Sequence, residues 1–579
     1  MWKQRPFKDG TLPEPGTKPD VERIVSELSG ITREKLLHDD STYEINGLSR
    51  AASIIRGAVR LHKKIFIMGD YDADGICGST IMFLTIREMG GYAVVRLPKR
   101  MSEGYGLKES IVDEFDDGAL LITVDNGICA RDAIARAKAK NMTVILTDHH
   151  LPPEDGILPD ADVIIDPNAG TGADYCGYCG AGLTYRIAKE LLGEDASKKY
   201  LTIAAIATVA DVMNLDGENR LIVREGLSLM KDKDCTTAGL RALLRAFSLT
   251  EHITSTDIGF KIAPALNAPG RLLDDGAMKS FRLLTFNGRW QDADEKAAEL
   301  IKYNDQRKAC RDAVVAEAER IIAEKHMQND IPLIVFVPEK PEGVDTIEGI
   351  VGNIAGELAE RYKTPAIVLT RSEDKPGVLK GSARGGLDVH LKDLLDKNSR
   401  YLLSYGGHKD AAGLSLEEKH LDEFRKAMIR SLEGTVKGTD DTVYYDIKAD
   451  AAEYPELLDR IEEYGPYGTG VPAPVVYLES VQTIPNQTDN GPEYFKLMGG
   501  GSTIKFRTDV FDALGFGLGN KAEEFRYGGK LMSFIGTASR NYFGKNVRPQ
   551  IDLIDLMEDR PPVKRTSTQA RLSSIANNR

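Results

Sequence analysis

At 579 residues, with 42% hydrophobic and 28% charged side chains, the chain is several times longer than one hydrophobic core needs and has the composition of an ordinary globular protein. No apolar run approaches the length of a membrane span, the N-terminal Met-Trp-Lys-Gln-Arg-Pro-Phe lacks the apolar stretch of a secretory signal, and six scattered cysteines form no disulfide framework, so a cytoplasmic protein with no membrane partner is expected. A formal net charge of −13 argues against a broad basic coat for nucleic acid but leaves room for a narrow basic groove.

Residues 1–50 mix prolines (Pro6, Pro13, Pro15, Pro19) with one short amphipathic helix and read as an extension on the body. From Lys63 the pattern changes to short apolar runs separated by helical stretches: Ile65 to Met68, Leu120 to Val124, Thr143 to Leu146 and Val163 to Ile165. Fully apolar strands alternating with helices indicate a parallel sheet covered on both faces, which places an α/β domain over 51–285. Helical periodicity dominates from Leu201 to His326 and closes in one long, charged, solvent-exposed helix, Gln291 to Lys325, within a connector over 286–330. A second α/β unit opens at Ile331 and spans 331–435, with glycine clusters at Gly381 to Gly386 and at Gly406-Gly407. Strand-rich sequence with closely spaced turn residues follows over 436–559 and suits a small β-barrel. The stretch 560–579 carries Arg560, Lys564, Arg565, Arg571 and Arg579 without an acid and reads as a disordered basic tail.

Three of the four strands in the first unit run into compact polar motifs: Gly69-Asp70-Tyr71-Asp72-Ala73-Asp74-Gly75, Val124-Asp125-Asn126-Gly127 and Thr147-Asp148-His149-His150. The fourth ends at Asp166 before Pro167, which reads as a turn. In an open parallel sheet the carboxyl ends of neighbouring strands share one edge, so the three motifs converge on one crevice. Five or more carboxylates gathered there repel one another strongly unless cations lie between them. The spacing suggests extended backbone at Asp72 and Asp74, with Gly75 turning the chain into a helix near Ile76 and Asp125 bridging two ions. Mixed oxygen and imidazole ligands favour Mn²⁺ over Ca²⁺ and tolerate Mg²⁺, and two such ions suit hydrolysis of a phosphate ester. Cys176-Gly-Tyr-Cys179 has the spacing of half a zinc site or of a redox pair, but without a second pair nearby it reads as a turn with two thiols.

The three polar motifs, together with Ala210-Asp211-Val212-Met213-Asn214-Leu215, resemble motifs I to IV of the DHH phosphoesterases. Leu97-Pro98-Lys99-Arg100, Glu103-Gly104-Tyr105-Gly106 and the run from Ala263 to Arg271 are similar to segments of the RecJ exonuclease branch of that family, and the resemblance covers residues 45 to 557 or thereabouts. It implies a parallel-sheet DHH domain, linking helices, a second α/β DHH-associated domain and a C-terminal OB-like β-barrel. It also implies that Asp70, Asp72, Asp74, Asp125, His149 and Asp211 bind two divalent ions, Mn²⁺ or Mg²⁺. His150 would then touch the scissile phosphate or orient a ligand, with Asp148 supporting from behind. Asp211 carries no signal of its own, since Ala204 to Val212 otherwise reads as a buried helix.

Gly381-Ser382-Ala383-Arg384-Gly385-Gly386 and the run from Gly406 to Gly413 are similar to the substrate-binding domain of these enzymes, which marks Ser382, Arg384, Gly407 and His408 as contacts. Arg100, Arg271 and Arg384 are candidates for the terminal phosphate or nearby backbone, because guanidinium forks match phosphate in a bidentate way. In the segment resembling the OB barrel, Phe506, Arg507, Arg540, Tyr542, Phe543, Lys545 and Arg548 are candidates for stacking on bases beside a basic track. Two departures stand out: Thr346-Ile347-Glu348-Gly349 lacks the histidine expected before the Glu-Gly run, and Gly385 replaces a serine. The resemblance implies a monomeric 5′-3′ exonuclease acting on single-stranded DNA in repair and recombination, with a single-strand-binding protein and a helicase as collaborators. A hydrolase of short oligonucleotides or nucleotides and a noncatalytic, DNA-binding replication scaffold are the alternatives, and retention of every motif acid favours catalysis.

Overall fold

The computed structural model describes residues 2–12, 18–38, 41, 43–170, 172–249, 251–435, 442–488, 491–525, 528–543 and 546–559; the basic tail expected over 560–579, Lys545 and the side chain of Phe543 lie outside what is described. The chain divides into two compact units, Ser41–Asp440 and a discontinuous one of Met1–Asp40 with Asp441–Arg579. The extension expected over 1–50 therefore splits between the two.

In the unit Ser41–Asp440 the four expected apolar runs, with one strand that the sequence reading missed (Tyr92–Arg96), form a five-stranded, all-parallel sheet: β1 (Lys64–Met68), β2 (Tyr92–Arg96), β3 (Leu120–Val124), β4 (Thr143–Thr147) and β5 (Val163–Ile165). The strand order is β2-β1-β3-β4-β5. The order of progression across the sheet reverses between β1 and β3, and that switch point is where an open parallel sheet leaves a crevice at the carboxyl ends of its strands. Strands β3 and β4 are buried on both faces, as continuous apolar runs require. One face packs Phe66, Leu121, Ile134 and Val144 together, with the Phe66 and Phe115 rings stacked at 4.4 Å. Behind the other lies α1 (Ala73–Glu88), buried almost all round, with α2 (Gly180–Leu192) and α3 (Leu201–Ala210) against it. A π-helical turn, Ile258–Ile262, leads into α4 (Ala263–Leu272).

The long helix α5 (Trp290–Glu324) matches the sequence expectation in extent but not in surroundings. Ala293, Ala297 and Leu300 are buried in its first half, and Val314, Val315, Ala318, Ile321 and Ile322 bury its second half in the core of the next domain. Its charged composition hid this, because small and aliphatic side chains every three or four residues make only a narrow stripe. That next domain contains β6 (Leu333–Val337), α6 (Val351–Tyr362), β7 (Ala366–Arg371), β8 (Val378–Arg384), β9 (Ser404–Gly407) and β10 (Ala411–Glu417), in sheet order β9-β10-β8-β7-β6 with only β6 and β7 parallel.

The discontinuous unit is built on a seven-stranded sheet of β11 (Ile447–Ala449), β12 (Val475–Gln482), β13 (Phe495–Met498), β14 (Thr503–Arg507), β15 (Asp512–Gly515), β16 (Leu531–Phe543) and β17 (Asn546–Glu558), in order β11-β12-β16-β17-β15-β14-β13. The strand Trp2–Gln4 pairs in parallel with Val443–Tyr445, so the N-terminal segment is part of this unit. Several of the expected base and backbone contacts are spoken for here. Phe506 is fully buried against Phe495, Phe525 and Phe534, Arg540 is ion-paired with Glu462 and Asp459, and Arg548 is held by Asp512. Alternation along a strand puts every second aromatic into the core, which is where Phe506 went. Arg507 remains exposed and Tyr542 half-buried. Among the described residues no helix is long and apolar enough to cross a membrane.

Candidate active site

Asp70, Asp72 and Asp74 follow β1 at the switch point. Asp72 is the N-cap of α1, its Oδ1 accepting from the N–H groups of Asp74 at 3.0 Å and Gly75 at 3.2 Å. This corrects the expected geometry: α1 starts at Ala73 rather than near Ile76, so Asp74 is already helical and only Asp72 has extended backbone. The cap explains the difference, since its carboxylate satisfies otherwise unpaired N–H groups of the first turn. Gly75 is not a turn residue. A Cβ there would overlap the backbone of Asp70, so glycine is what lets α1 lie against the Asp70 loop. The Gly75→Ala change should cost about 1–3 kcal/mol through overpacking and lower the melting temperature in chelator by several degrees; an unchanged melting curve would show that α1 can shift freely.

Asp74 is aimed by a second helix. Its Oδ2 accepts from Gly180 N–H at 2.6 Å and its Oδ1 from Ala181 N–H at 2.8 Å, at the start of α2. Asp125 follows β3 with φ of 61°, and a Cβ at Gly180 would overlap its side chain, so α2 approaches both aspartates at once. Asn126 donates to the Met68 and Val124 carbonyls and locks the ends of β1 and β3 together. After β4, Asp148 accepts from Ile128 N–H at 2.9 Å and pairs with His150 Nδ1 at 2.7 Å. The motif IV aspartate, Asp211, caps the C-terminus of α3.

These elements bring the side chains together. His149 Nε2 lies 3.1 Å from Asp125 Oδ1, 3.6 Å from Asp211 Oδ2 and 3.7 Å from Asp74 Oδ2. Three triads offer ligand atoms within 4.8 Å of one another: Asp70, Asp72 and Asp125; Asp74, His149 and Asp211; Asp125, His149 and His150. Asp125 and His149 link them. Asp70, Asp74 and Asp125 are almost wholly buried, and burial followed by mutual repulsion raises each carboxyl above its ordinary range. Burial and the charge of Asp74 push Asp211 up to about 8. Among the described residues Asp70 Oδ1 is buried without a hydrogen-bond partner. Repelling oxygens, one of them orphaned, beside a buried imidazole are the donor set of divalent-cation sites. Burial lowers His149 towards its neutral, ligating form. For His150 burial acts the same way but is outweighed by the Asp148 hydrogen bond and charge, which raise it to about 9. Tyr105 donates to the Asp125 carbonyl at 3.0 Å and touches His150 Nδ1 at 3.1 Å.

A cluster of opposite sign adjoins this one. Arg100 lies over the ring of Tyr71, the residue between Asp70 and Asp72, at 4.5 Å. Burial, then the nearby charges of Arg100 and Arg307, with a smaller push from Arg384, drive the Arg271 guanidinium down to about 9. Arg271 Nη1 donates to the Gly349 carbonyl at 3.3 Å, and Arg384 Nη1 to Ser382 Oγ at 2.8 Å. Arg307, on α5, is the member that sequence reasoning missed; its buried Nε has no hydrogen-bond partner. Arg271, crowded by the like charges of Arg100, Arg307 and Arg384, offers with them the guanidinium donors that an anion could accept from. Gly407 and His408 lie instead on the exposed β9–β10 hairpin. The two departures have local surroundings that suit them: Ile347, in place of the expected histidine, is buried in the core of this second domain, and Gly385 sits where a Cβ would press on Asp410.

Three family models match the chain: the DHH family N-terminal domain over residues 64–208, the DHHA1 domain over 330–434 and the RecJ OB domain over 445–555. The single-stranded-DNA-specific exonuclease RecJ of Dickeya dadantii is 31% identical over 512 residues, covering 82% of this chain and 85% of the relative. Among solved structures, RecJ from Thermus thermophilus in complex with Mn²⁺ superposes with a TM-score of 0.74 at 24% identity, covering 93% of this chain and 76% of that one. An exonuclease RecJ bound to manganese gives 0.57 at 29% identity, covering 68% of this chain and 96% of that one.

Proposed function

The chain belongs to the RecJ branch of the DHH family, and from that premise we propose that it is an exonuclease specific for single-stranded DNA, hydrolysing phosphodiester bonds from the 5′ end in repair and recombination. The observation that carries this reading is that a carboxylate and histidine cluster at the carboxyl edge of the parallel sheet, in need of cations, adjoins a group of arginines from other elements, in need of an anion. A phosphate ester would meet the arginines directly and the carboxylates through divalent cations held between them.

In this reading Asp70, Asp72 and Asp125 hold one divalent ion and Asp74, His149 and Asp211 the other, with Mn²⁺ or Mg²⁺ as the metal. Ions held there would lower the pKa of an attacking water and offset charge on the phosphoryl oxygens. The chain's own part is placement. Asp148 keeps His150 protonated near neutral pH, so that His150 donates to the scissile phosphate rather than competing for metal. Arg100, Arg271, Arg307 and Arg384, with Ser382, grip the terminal phosphate or the backbone beside it. Residues 51–285 are the catalytic domain and 286–330 the connecting helix; 331–435 bind substrate, and the OB-like 436–559 also bind single-stranded DNA. Gly407 and His408 contact DNA outside the metal centre. A cytoplasmic monomer working with a single-strand-binding protein and a helicase completes the proposal.

Single-stranded DNA labelled at either end, with a duplex control, tests it. Mn²⁺-dependent release of 5′-labelled mononucleotide before 3′ label, with the duplex spared, is expected. The Arg384→Ala variant should weaken binding of a 5′-phosphorylated oligonucleotide about tenfold, the scale of one charge-assisted pair, while leaving the Mn²⁺-induced shift in melting temperature intact. Absence of release with any divalent cation, or cuts first made inside the strand, would overturn the reading.

A further inference from the structure

The segment that delivers Asp211 carries side chains that the centre described above does not use. Val212 follows it directly, holds φ of 57° and is 67% exposed. Left-handed backbone is a rare conformation for a β-branched residue, and here it turns a valine out into solvent one position from a cluster carboxylate. Packed on α3 is the π-helical turn Ile258–Ile262, where a Cβ on Gly259 would lie 3.9 Å from Val209 Cγ1 in the last turn of α3. Ile258 and Ile262 are fully buried and anchor the turn, while Phe260 between them is 79% exposed, the highest value of any large hydrophobic side chain among the described residues. Packing alone calls for a polar residue at such a position. π-Helical turns recur at functional sites because the extra residue redirects a side chain.

We propose that Phe260 and Val212 form a base-contacting lip, on which a nucleobase of the substrate rests while its phosphate lies between the arginines and the cations that the carboxylates would hold. The inference rests on the nuclease reading and deepens it. A nucleotide offers the centre a charged phosphate, a polar sugar and one flat, largely apolar surface. The first is matched by the metal ligands and arginines, and the last needs an exposed apolar partner nearby, which Phe260 and Val212 supply. Stacking on an aromatic ring is tolerant of sequence, because every base has a π-face. It is also selective for single strands, since the bases of a duplex are already paired and stacked on each other.

The full-length protein with Mn²⁺ and two 5′-phosphorylated oligodeoxythymidylates tests this, one intact and one carrying abasic residues at its first three positions. Wild type should lose about tenfold in kcat/KM on the abasic strand. Phe260→Ala should lose about tenfold on the intact strand, mainly through KM, and little further on the abasic one; Phe260→Trp should restore the intact-strand value. Equal losses by Phe260→Ala on both strands, or no loss on either, would overturn the lip while leaving the nuclease reading standing. A wild-type protein that cleaves neither strand overturns both. Melting curves of the variants separate a folding defect from a lost contact, and a Phe260→Trp protein that is folded yet as impaired as Phe260→Ala also counts against stacking.

Discussion

Replacing Asp125 by Asn should cut single-stranded-DNA hydrolysis by about a thousandfold or more, several kcal/mol of transition-state stabilisation, yet leave the metal-free protein no less stable than its parent. The two halves come from one observation. Asp125 is buried, its carboxyl is raised by burial and by Asp74, Asp72 and Asp70, and it sits 3.1 Å from His149 at the junction of the triads. In the absence of cations its charge is a liability, so a neutral isostere relieves repulsion. Asn also tolerates the φ of 61° that the position imposes. The backbone N–H of residue 125 still donates to the Thr147 carbonyl, so the loop keeps its anchor. Single-turnover rates in Mn²⁺ and thermal unfolding in chelator check both halves. A large loss of melting temperature in chelator would mean that Asp125 holds the fold together and that its negative charge serves no ion.

The second large effect is a coupling between pH and metal. Asp70, Asp74, Asp125 and Asp211 have folded-state carboxyls raised above their unfolded values, with Asp211 at about 8. Such groups bind more protons folded than unfolded, so their contribution is full at low pH and is lost as pH climbs through the folded values. His150, raised to about 9, acts in the same direction. His149, lowered by burial, favours the folded state only as pH passes its ordinary value near 6.5, and Asp148 titrates at acid pH, so neither opposes the trend above pH 7. In chelator the melting temperature should therefore fall between about pH 7 and 8.5. With Mn²⁺ the fall should vanish or reverse, because cations displace the protons and bind more tightly as pH rises. Saturating metal at about a hundred times its Kd adds about 2.7 kcal/mol, which for domains of this size means roughly 5–10 °C. Parallel pH trends with and without Mn²⁺ would rule out carboxylates as the cation ligands.

Much of the carboxylate and histidine cluster could be read along the chain because its parts sit where fully apolar strands stop. Asp70 after Met68, Asp125 after Val124 and Asp148 after Thr147 are local signals, and a parallel sheet puts strand ends on one edge whatever the details of the helices between. What could not be read is set by tertiary approach. Gly180 and Ala181 aim the Asp74 carboxylate across more than a hundred residues of chain, and nothing in their neighbourhood marks them for it. Asp211 became visible only through family resemblance, since α3 is buried nearly throughout and its capping residue looks like any helix end. Arg307 lies in a helix rich in charge, where a single arginine is indistinguishable from its solvated neighbours. The extended backbone expected at Asp74 was a choice between two local conformations, and the N-cap at Asp72 decided it. In the OB-like unit, residue type was legible and facing was not: Phe506 went inward and Arg540 found acids on a nearby helix.

The pairing of Trp2–Gln4 with Val443–Tyr445 means that one unit is interrupted by the whole of the other. During synthesis at roughly 5–20 residues per second, the early strand waits tens of seconds for a partner made some 440 residues later. The intervening α/β unit is contiguous and free to fold in that interval, so its carboxylate cluster can be assembled before the rest of the discontinuous unit has been synthesised.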